Sequence, residues 1–415
     1  MAQTYPLKSQ TLWLYSTRVH VFMYALLLIA TPFILLRNYL VQGIAYATDS
    51  STTLLGTEIK IVPVAAVIVF LLLLVIYRSY ITRLRLLSLG IGIVIIALAQ
   101  QITDYYFGRN YYDLQQNWHY LAYGIYSFII YRDLEPRGIP LYKIMLITYF
   151  SAMTLSLLDE ITQVFISSRV FDICDVGKDV IGVHVGMIIT YFGGKQSTQL
   201  FRNASHIRHR KFRNYHKHPF TLMFLLFVLN FIFLSIGSFL TEKEYVFTVV
   251  ILTIVIFAAF LAILHLSQFK TIRNVMLAIL AALIIVQGYF YFKYRDDNII
   301  YTDYGLTVYK GIPLPFFDIM IHPNGMFRPV DKKHLFNQRD REFLLKQKVD
   351  IIVISSGTYG KGGKGFENSH HCFIYNKYTQ KATQIIIQRN KEACETFNRL
   401  KRENKNVLFI LHNTC

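Results

Sequence analysis

The sequence predicts an α-helical multi-pass membrane bundle of about nine transmembrane helices, followed by a C-terminal soluble α/β domain. Of its 415 residues, 53% are hydrophobic and only 16% are charged, whereas a soluble domain carries about 25% charged residues. Apolar runs of about 20 residues recur, which is the length that crosses a bilayer core of about 30 Å as a helix. After Arg295 the apolar runs shorten to strand length.

The apolar runs give the order of the helices. Their approximate cores are residues 19–41, 59–77, 84–102, 117–131, 141–158, 176–193, 219–240, 245–267 and 274–292. The fourth, fifth and sixth are short or contain polar residues, as is typical of spans that face other helices or a cavity. The predicted domains are 1–83 (two transmembrane helices), 84–195 (four), 196–218 (a basic loop), 219–293 (three more) and 299–415 (the soluble domain).

Basic residues predict the orientation. The loops between the second and third, fourth and fifth, and sixth and seventh helices are rich in Lys and Arg, and the alternate loops are poor in them. Since basic loops remain cytoplasmic, the N-terminus is expected inside the cytoplasmic (inner) membrane. Nine crossings would then leave the C-terminal domain outside.

The net charge of +18 does not predict nucleic-acid binding, because many basic residues stand at the ends of apolar segments. The loop 195–218 is predicted either to contact anionic lipid or only to set topology. Membrane lipids are therefore the expected partners of the helical part.

Polar residues are concentrated around the fifth and sixth predicted helices. Asp159 and Gln163 are four residues apart on one helical face, as are Asp175 and Asp179, and Arg169 is the expected partner of one acid. An ionisable residue inside the membrane costs several kcal/mol unless it is paired or hydrated. His119 and Tyr123, on the fourth helix, are predicted to meet the same cluster.

The spaced motif of this region resembles the VanZ-like family over about residues 84–195. The matching positions are His119, Tyr123, Asp159, Glu160, Gln163, Phe165, Arg169, Asp172, Asp175, Asp179, Gly182 and Gly186. The family often has an Asp-Lys pair shortly before the His, but Asp113–Trp118 contains no lysine. The family is named for a protein that gives low-level resistance to a glycopeptide antibiotic, and the resemblance implies no particular reaction.

Two interpretations of the acids remain open. They could cap helices and lock loops, or they could form a ligand or catalytic site in which His119, Asp159 and Glu160 are the candidate acid and base. The remaining candidate ligand-binding residues are Tyr123, Gln163, Arg169, Asp172, Asp175 and Asp179. Gly182 and Gly186 have the spacing of close helix packing. No metal signature is matched, and no cofactor is predicted.

The C-terminal part is predicted to contain strands at Phe317–His322, Asp350–Ser355, Thr383–Gln388 and Val407–His412, and helices near Arg339–Gln347 and Lys391–Glu403. A glycine-rich loop with Gly357, Gly360 and Gly362 follows the second strand but lacks the order of a Walker phosphate loop. It is predicted to be either a permissive turn or a concave binding loop.

Residues 299–415 resemble the small α/β family that includes mitochondrial complex I assembly factor three and archaeal relatives. The resemblance implies an interaction or assembly module with a possible protein partner. Relatives of this domain are soluble proteins of reducing compartments, and the unpaired thiols of Cys372, Cys394 and Cys415 also fit such a compartment. Both points oppose the outside placement predicted from the loop charges.

The sequence thus predicts a VanZ-like membrane protein of the cell envelope that binds lipid-linked or glycopeptide-type ligands. One alternative is an intramembrane enzyme acting on a lipid or lipid-linked precursor, and another is a transporter. Whether the protein is an enzyme is left open, and a cavity reaching one or both sides of the membrane would separate these classes.

Overall fold

The computed structural model forms two units. The first contains residues 1–100 and 111–234, and the second contains residues 101–110 and 235–415. The described residues are 16–34, 42–44, 46–47, 50–54, 57–103, 114–165, 171–193, 211–241, 243–366 and 371–414.

Before residue 295, the described part of the chain contains nine helices that coincide with the predicted apolar segments. They are α1 (Thr17–Ile34), α2 (Ile61–Ile76), α3 (Arg83–Ile102), α4 (Leu114–Leu134), α5 (Leu141–Gln163), α6 (Ile173–Met187), α7 (Pro219–Phe239), α8 (Val246–Leu266) and α9 (Lys270–Tyr294). A π-helical turn, Ile188–Phe192, continues α6. Proline stands at the first position of α7, where its missing N–H costs no helical hydrogen bond.

Five of these helices are long and apolar enough to cross a membrane: α3, α5, α7, α8 with its preceding turn, and α9. The helices α1 and α2 are apolar but shorter. A membrane protein with several apolar helices is therefore supported, whereas nine crossings remain a prediction.

The helix α6 shows why some of the predicted membrane segments contain many polar residues. Every residue of α6 except Asp175 is buried, so the helix is surrounded by protein and can carry polar side chains. A Cβ atom at Gly182 would lie 2.7 Å from the Tyr120 carbonyl oxygen, and one at Gly186 would lie 2.8 Å from Gly124 Cα. The two glycines therefore allow the backbones of α4 and α6 to approach closely.

The C-terminal part of the second unit is an α/β domain with two sheets. Its strands are β3 (Ile299–Asp303), β4 (Leu306–Tyr309), β5 (Ile312–Pro315), β6 (Asp318–Ile321), β7 (Phe327–Val330), β8 (Ile351–Ser355), β9 (His371–Asn376), β10 (Lys381–Gln388) and β11 (Val407–Leu411). The strands β3, β4 and β5 form an antiparallel meander, and the larger sheet has the order β7-β6-β11-β8-β10-β9. Its three adjacent strands β11, β8 and β10 are parallel.

Two helices cover the two faces of the larger sheet. The helix α10 (Gln338–Lys346) begins with a capping box at Asn337 and buries Leu344. The helix α11 (Asn390–Arg402) buries Ala393, Phe397 and Leu400, the positions with helical spacing in the sequence. The Phe397 and Phe409 rings stack with centroids 4.8 Å apart.

The domain is attached to helices of its own unit at two points. The Lys332 amide donates to the Phe239 carbonyl at the end of α7 (3.0 Å). The Gln287 side chain of α9 donates to the Gly311 carbonyl (3.0 Å). The domain and the adjoining helix ends therefore form a common packed region.

Several strands differ from the sequence prediction. The four predicted strands and two predicted helices of the domain are present. The meander β3–β5, the strand β7 and the edge strand β9 were not predicted as strands, and neither was the hairpin of β1 (Ser51–Leu54) and β2 (Thr57–Lys60). The missed strands mix apolar residues with polar residues or proline over only four to six positions, whereas the predicted β8 and β11 are almost entirely apolar.

Candidate polar site in the membrane helices

A hydrogen-bonded chain joins the helices α4, α5 and α6. The His119 Nδ1 atom lies 2.8 Å from Asp179 Oδ1, and the Ser156 hydroxyl donates to Asp179 Oδ2 (2.6 Å). Both carboxyl oxygens of Asp179 therefore have a hydrogen-bond partner, although this acid is completely buried.

A second carboxylate faces the other nitrogen of the same imidazole. Asp175 Oδ2 lies 3.7 Å from His119 Nε2. The Lys178 ammonium donates to Asp175 Oδ1 (2.9 Å), three residues along α6. The imidazole of His119 is therefore held between two acids, one of which is also paired with a lysine.

The last turns of α5 supply the remaining acids. The Gln163 amide donates to Glu160 Oε1 (2.8 Å), and the Asp172 backbone amide donates to Glu160 Oε2 (3.0 Å). Asp172 caps α6, because its side chain accepts from the Cys174 amide (2.8 Å). The loop and the start of α6 are thus tied to the end of α5.

Asp159 is held more loosely than Glu160. Its Oδ2 atom has only a long contact of 3.5 Å from Gln163, and its Oδ1 atom is buried and accepts no hydrogen bond from the described residues. Coulombic interactions link Asp159 with Asp179 and Glu160 with Asp175. The acids Asp159, Glu160, Asp172, Asp175 and Asp179 therefore form a single site with His119, defined here as the α4–α6 polar site.

Within the first unit this site lies away from the basic helix ends. The Arg85 guanidinium donates to the Gly193 carbonyl (3.0 Å), and the Thr17 hydroxyl donates to Asp133 (2.6 Å). The first contact joins the start of α3 to the end of the π-helical turn, and the second joins the start of α1 to the end of α4. The polar site is formed by the opposite ends of α4 and α6 together with the end of α5.

The sequence-predicted residues divide into those in the site and those elsewhere. The structure brings together His119, Asp159, Glu160, Gln163, Asp172, Asp175 and Asp179. Tyr123 is buried one turn after His119, whereas the Phe165 side chain is 83% exposed. Arg169 and residues 194–210 of the basic loop lie outside the described residues.

Sequence reasoning missed two contributors to this site and one buried polar contact outside it. Ser156 and Lys178 pair with the predicted acids, but a serine in an apolar helix and a lysine near a helix start are common and carry little signal. On α7, Asn230 accepts from the Tyr149 hydroxyl (2.6 Å) and forms a second buried polar contact. A lone Asn in the most apolar part of a span is the signal that could have found it.

No group of three or more His, Cys, Asp or Glu side chains in the described ranges is arranged to hold a metal ion. In the second unit the predicted glycines lie after β8. Gly357 and Gly360 have φ values of +85° and +72°, and Gly362 is buried. Cys174, Cys372 and Cys394 form no disulfide in the described structure and are buried.

The sequence matches no known family profile and no curated protein sequence. Two solved structures are similar to a part of the chain. MT938 is 21% identical, with 28% of this chain and 98% of that chain covered at a TM-score of 0.23. A conserved hypothetical protein, PH1505 from Pyrococcus horikoshii OT3, is 22% identical, with 28% and 99% covered at a TM-score of 0.23.

Proposed function

We propose that this protein is a VanZ-like membrane protein of the cell envelope that binds the polar headgroup of a lipid-linked or glycopeptide-type ligand at the α4–α6 polar site. The C-terminal domain would then be an interaction or assembly module. Localisation in the cytoplasmic membrane with an inside N-terminus is part of the same proposal.

The observation that carries this proposal is the unsatisfied oxygen of Asp159. A buried acceptor without a hydrogen bond costs about 1–3 kcal/mol, so a site that keeps one is suited to a ligand that supplies a donor. In the described part of the site, five carboxyl groups lie together with one lysine and one histidine. Hydroxyl and ammonium groups, which are donors, are therefore the headgroup chemistry that fits.

The test is retention of a ligand by the full chain. The protein is released from membranes in a nonionic detergent, and the lipids that stay bound are identified by native mass spectrometry. We expect Asp159→Asn to reduce occupancy by a headgroup-bearing lipid roughly tenfold or more, because a hydrogen bond to a charged group contributes about 1.5–3 kcal/mol.

The matched control is Thr154→Ala on the same helix. The Thr154 hydroxyl bonds only to the Phe150 carbonyl of its own helix, so this variant should retain the lipid. Equal retention by wild type and Asp159→Asn would contradict the proposed binding site.

A specific contact favours the intramembrane enzyme as a second candidate. The imidazole of His119 lies between Asp179 and Asp175, and an imidazole so placed can pass a proton from one side to the other. If the protein is such an enzyme, the wild type should convert the bound lipid-linked precursor over time. The His119→Gln variant should still bind the precursor but should not convert it. Transport remains a prediction that no particular contact favours.

Contact of residues 195–218 with anionic lipid also remains a prediction. Within this loop, the structure describes a 3₁₀ helix at Phe212–Lys217. The His216 ring packs edge-on against the Tyr142 ring, with the two centroids 6.1 Å apart. The aromatic contact holds this basic turn beside the start of α5, where its cations could meet headgroups.

A further inference from the structure

The carboxyl ends of three parallel strands meet at one edge of the C-terminal sheet. The strand β8 is followed by the glycine loop 356–363, β10 by the start of α11, and β11 by His412. Ligands of open α/β sheets bind at such an edge, where the strand order reverses. Here β8 lies between β10 and β11, and the chain crosses from β10 to β11 through α11.

A buried histidine lies beneath the glycine loop with one nitrogen unused. The His412 Nδ1 atom lies 2.8 Å from Asp318 Oδ2, and both side chains are fully buried. The His412 Nε2 atom has no hydrogen-bond partner in the described structure. A Cβ atom at Gly362 would lie 2.7 Å from His412 Cδ2 and 3.2 Å from Nε2, so this edge of the ring faces the loop.

The start of α11 is joined to the same loop. The Asn390 side chain accepts from the Ser355 hydroxyl and donates to the Thr358 hydroxyl (3.4 Å). No side chain caps this helix, so its first N–H groups are free to bind an anion. The helix has 13 residues, enough for its dipole to add to that preference.

Cationic side chains flank the loop. The Arg389 Nε atom lies 3.9 Å from the Cβ position of Gly360, and Arg389 and Lys361 are both exposed. The charges nearest the helix start also include Lys391 and one acid, Glu392. The edge therefore combines backbone donors, two exposed cations and an imidazole, as oxyanion sites do.

The same edge stands close to the helix ends. The Lys364 amide, at the exit of the loop, donates to the His334 carbonyl (2.9 Å), two residues from the Lys332 amide that binds Phe239. Exposed aromatic rings border the loop: the Tyr304 and Tyr359 centroids are 5.6 Å apart. The Phe316 side chain is 68% exposed, and the adjacent Phe317 packs on Phe239 at 4.7 Å. Exposed aromatic residues next to a helix end are typical of a membrane interface.

From these contacts we propose that the edge formed by the glycine loop 356–363, Arg389, Asn390 and His412 binds a phosphate-type oxyanion, and that the phosphate belongs to a lipid headgroup. Arg389, Lys361 and the free amides of α11 bind the oxygens. His412, oriented by Asp318, presents Nε2 on the loop side. This site is separate from the α4–α6 polar site and does not depend on the function proposed for it.

The test measures hydrogen–deuterium exchange of the loop and of the start of α11 in the full chain. The protein is held in phosphate-free maltoside micelles, to which either inorganic phosphate or phosphatidic acid is added at equal ionic strength. At a ligand concentration of ten times Kd, exchange through the unbound state should slow about tenfold. We expect this slowing with phosphatidic acid.

Two pairs of variants decide whether the slowing reports this site. Arg389→Gln and Lys361→Gln, both at exposed positions, should abolish it without unfolding the domain. Lys381→Gln and Lys405→Gln are the matched controls, because these exposed lysines stand at or before the amino ends of β10 and β11. His412→Gln should also abolish the slowing if the variant folds.

Each outcome has a definite meaning. Slowing with phosphatidic acid that is lost in the Arg389 and Lys361 variants but kept in the Lys381 and Lys405 controls supports the lipid site. Equal slowing with inorganic phosphate would support the oxyanion site but overturn the lipid as its source. No slowing with either probe, or the same slowing in all four variants, would overturn the oxyanion site.

Discussion

The most unusual ionisable group of the C-terminal domain is Asp331. It is buried, its Oδ1 atom accepts no hydrogen bond in the described structure, and Lys333 approaches Oδ2 at 3.5 Å. Burial raises the pKa of Asp331 to about 6, the nearby Asp340 acts in the same direction, and Lys333 opposes both. The folded domain thus holds this proton more tightly than the unfolded chain, where the pKa of Asp is about 3.9.

The sign of the pH dependence follows from this difference. The contribution of Asp331 to the free energy of unfolding is complete below about pH 4 and is lost as the pH rises towards 6, because the unfolded state releases the proton first. Relative to Asp331→Asn, the free energy of unfolding of the wild-type domain should fall by about 2–3 kcal/mol as the pH rises from about 4 to about 6. Hydrogen–deuterium exchange of the buried backbone amides of β8 and β11 measures this change.

The control for this prediction is Asp350→Asn, which changes an exposed carboxylate in the same domain. The difference in the free energy of unfolding between wild type and Asp350→Asn should stay nearly constant over this pH interval. A wild-type advantage over Asp331→Asn that grows between pH 4 and 6 would contradict the assigned direction.

At the residue level, the sequence predicted the acids of the α4–α6 polar site better than their partners. Asp159, Asp175 and Asp179 are conspicuous because a charge in an apolar segment is costly. The Ser156 hydroxyl donates to Asp179 from a different helix, so this partner is determined by how α5 and α6 pack in three dimensions. Lys178 pairs with Asp175 three residues earlier on the same helix, but this spacing alone does not distinguish it from an ordinary surface pair.

The helices α4 and α6 pack closely through glycines. A Cβ atom at Gly186 would overlap Ser127 Oγ and the Gly124 carbonyl oxygen, so Gly186→Ala or Gly182→Ala must push the helices apart. Overpacking of this kind costs about 1–3 kcal/mol. Both variants should lower the unfolding temperature of the full chain in micelles, and they should also disturb the His119–Asp179 contact between these helices.

The control is Gly90→Ala on α3, where a Cβ atom would meet nothing within 4 Å. This variant should leave the unfolding temperature nearly unchanged. If Gly186→Ala behaved like Gly90→Ala, the close approach of α4 and α6 would not contribute to stability.

Element by element, predictability followed the length of the apolar run. The helices α2, α7 and α8 and the fully buried strands β8 and β11 were predicted because their apolar residues are nearly continuous over the whole element. The helix α11 was predicted because its apolar residues have helical spacing. The strands of the meander were missed because β5 contains Pro313 and Pro315, and proline normally argues against a strand. The antiparallel pairing of β4 with β5 accommodates both prolines.

The basic loops predict how the whole chain is oriented in the membrane. The helix α7 follows the basic turn ending at Lys217 and ends at Phe239, which the C-terminal domain contacts. If Lys217 is cytoplasmic and α7 crosses the membrane, Phe239 and the domain are outside. We therefore expect Lys405→Cys to react with a membrane-impermeant thiol reagent in intact cells.

The comparison position is Lys217→Cys, which should react only after lysis. Both variants are made with Cys415→Ser, and Cys174, Cys372 and Cys394 are buried. Reaction of Lys217→Cys in intact cells, with Lys405→Cys protected until lysis, would reverse the predicted orientation.

The two attachments of the C-terminal domain, at Phe239 and at Gly311, also determine how it rotates. A domain joined only through the short segment 295–298 could reorient on the nanosecond timescale of a flexible loop. Hydrogen bonds to the end of α7 and to Gln287 of α9 remove that freedom. A spin label on the domain should therefore report the slow rotational diffusion of the whole micelle, and the exposed Tyr359 ring would keep a fixed height relative to the end of α7.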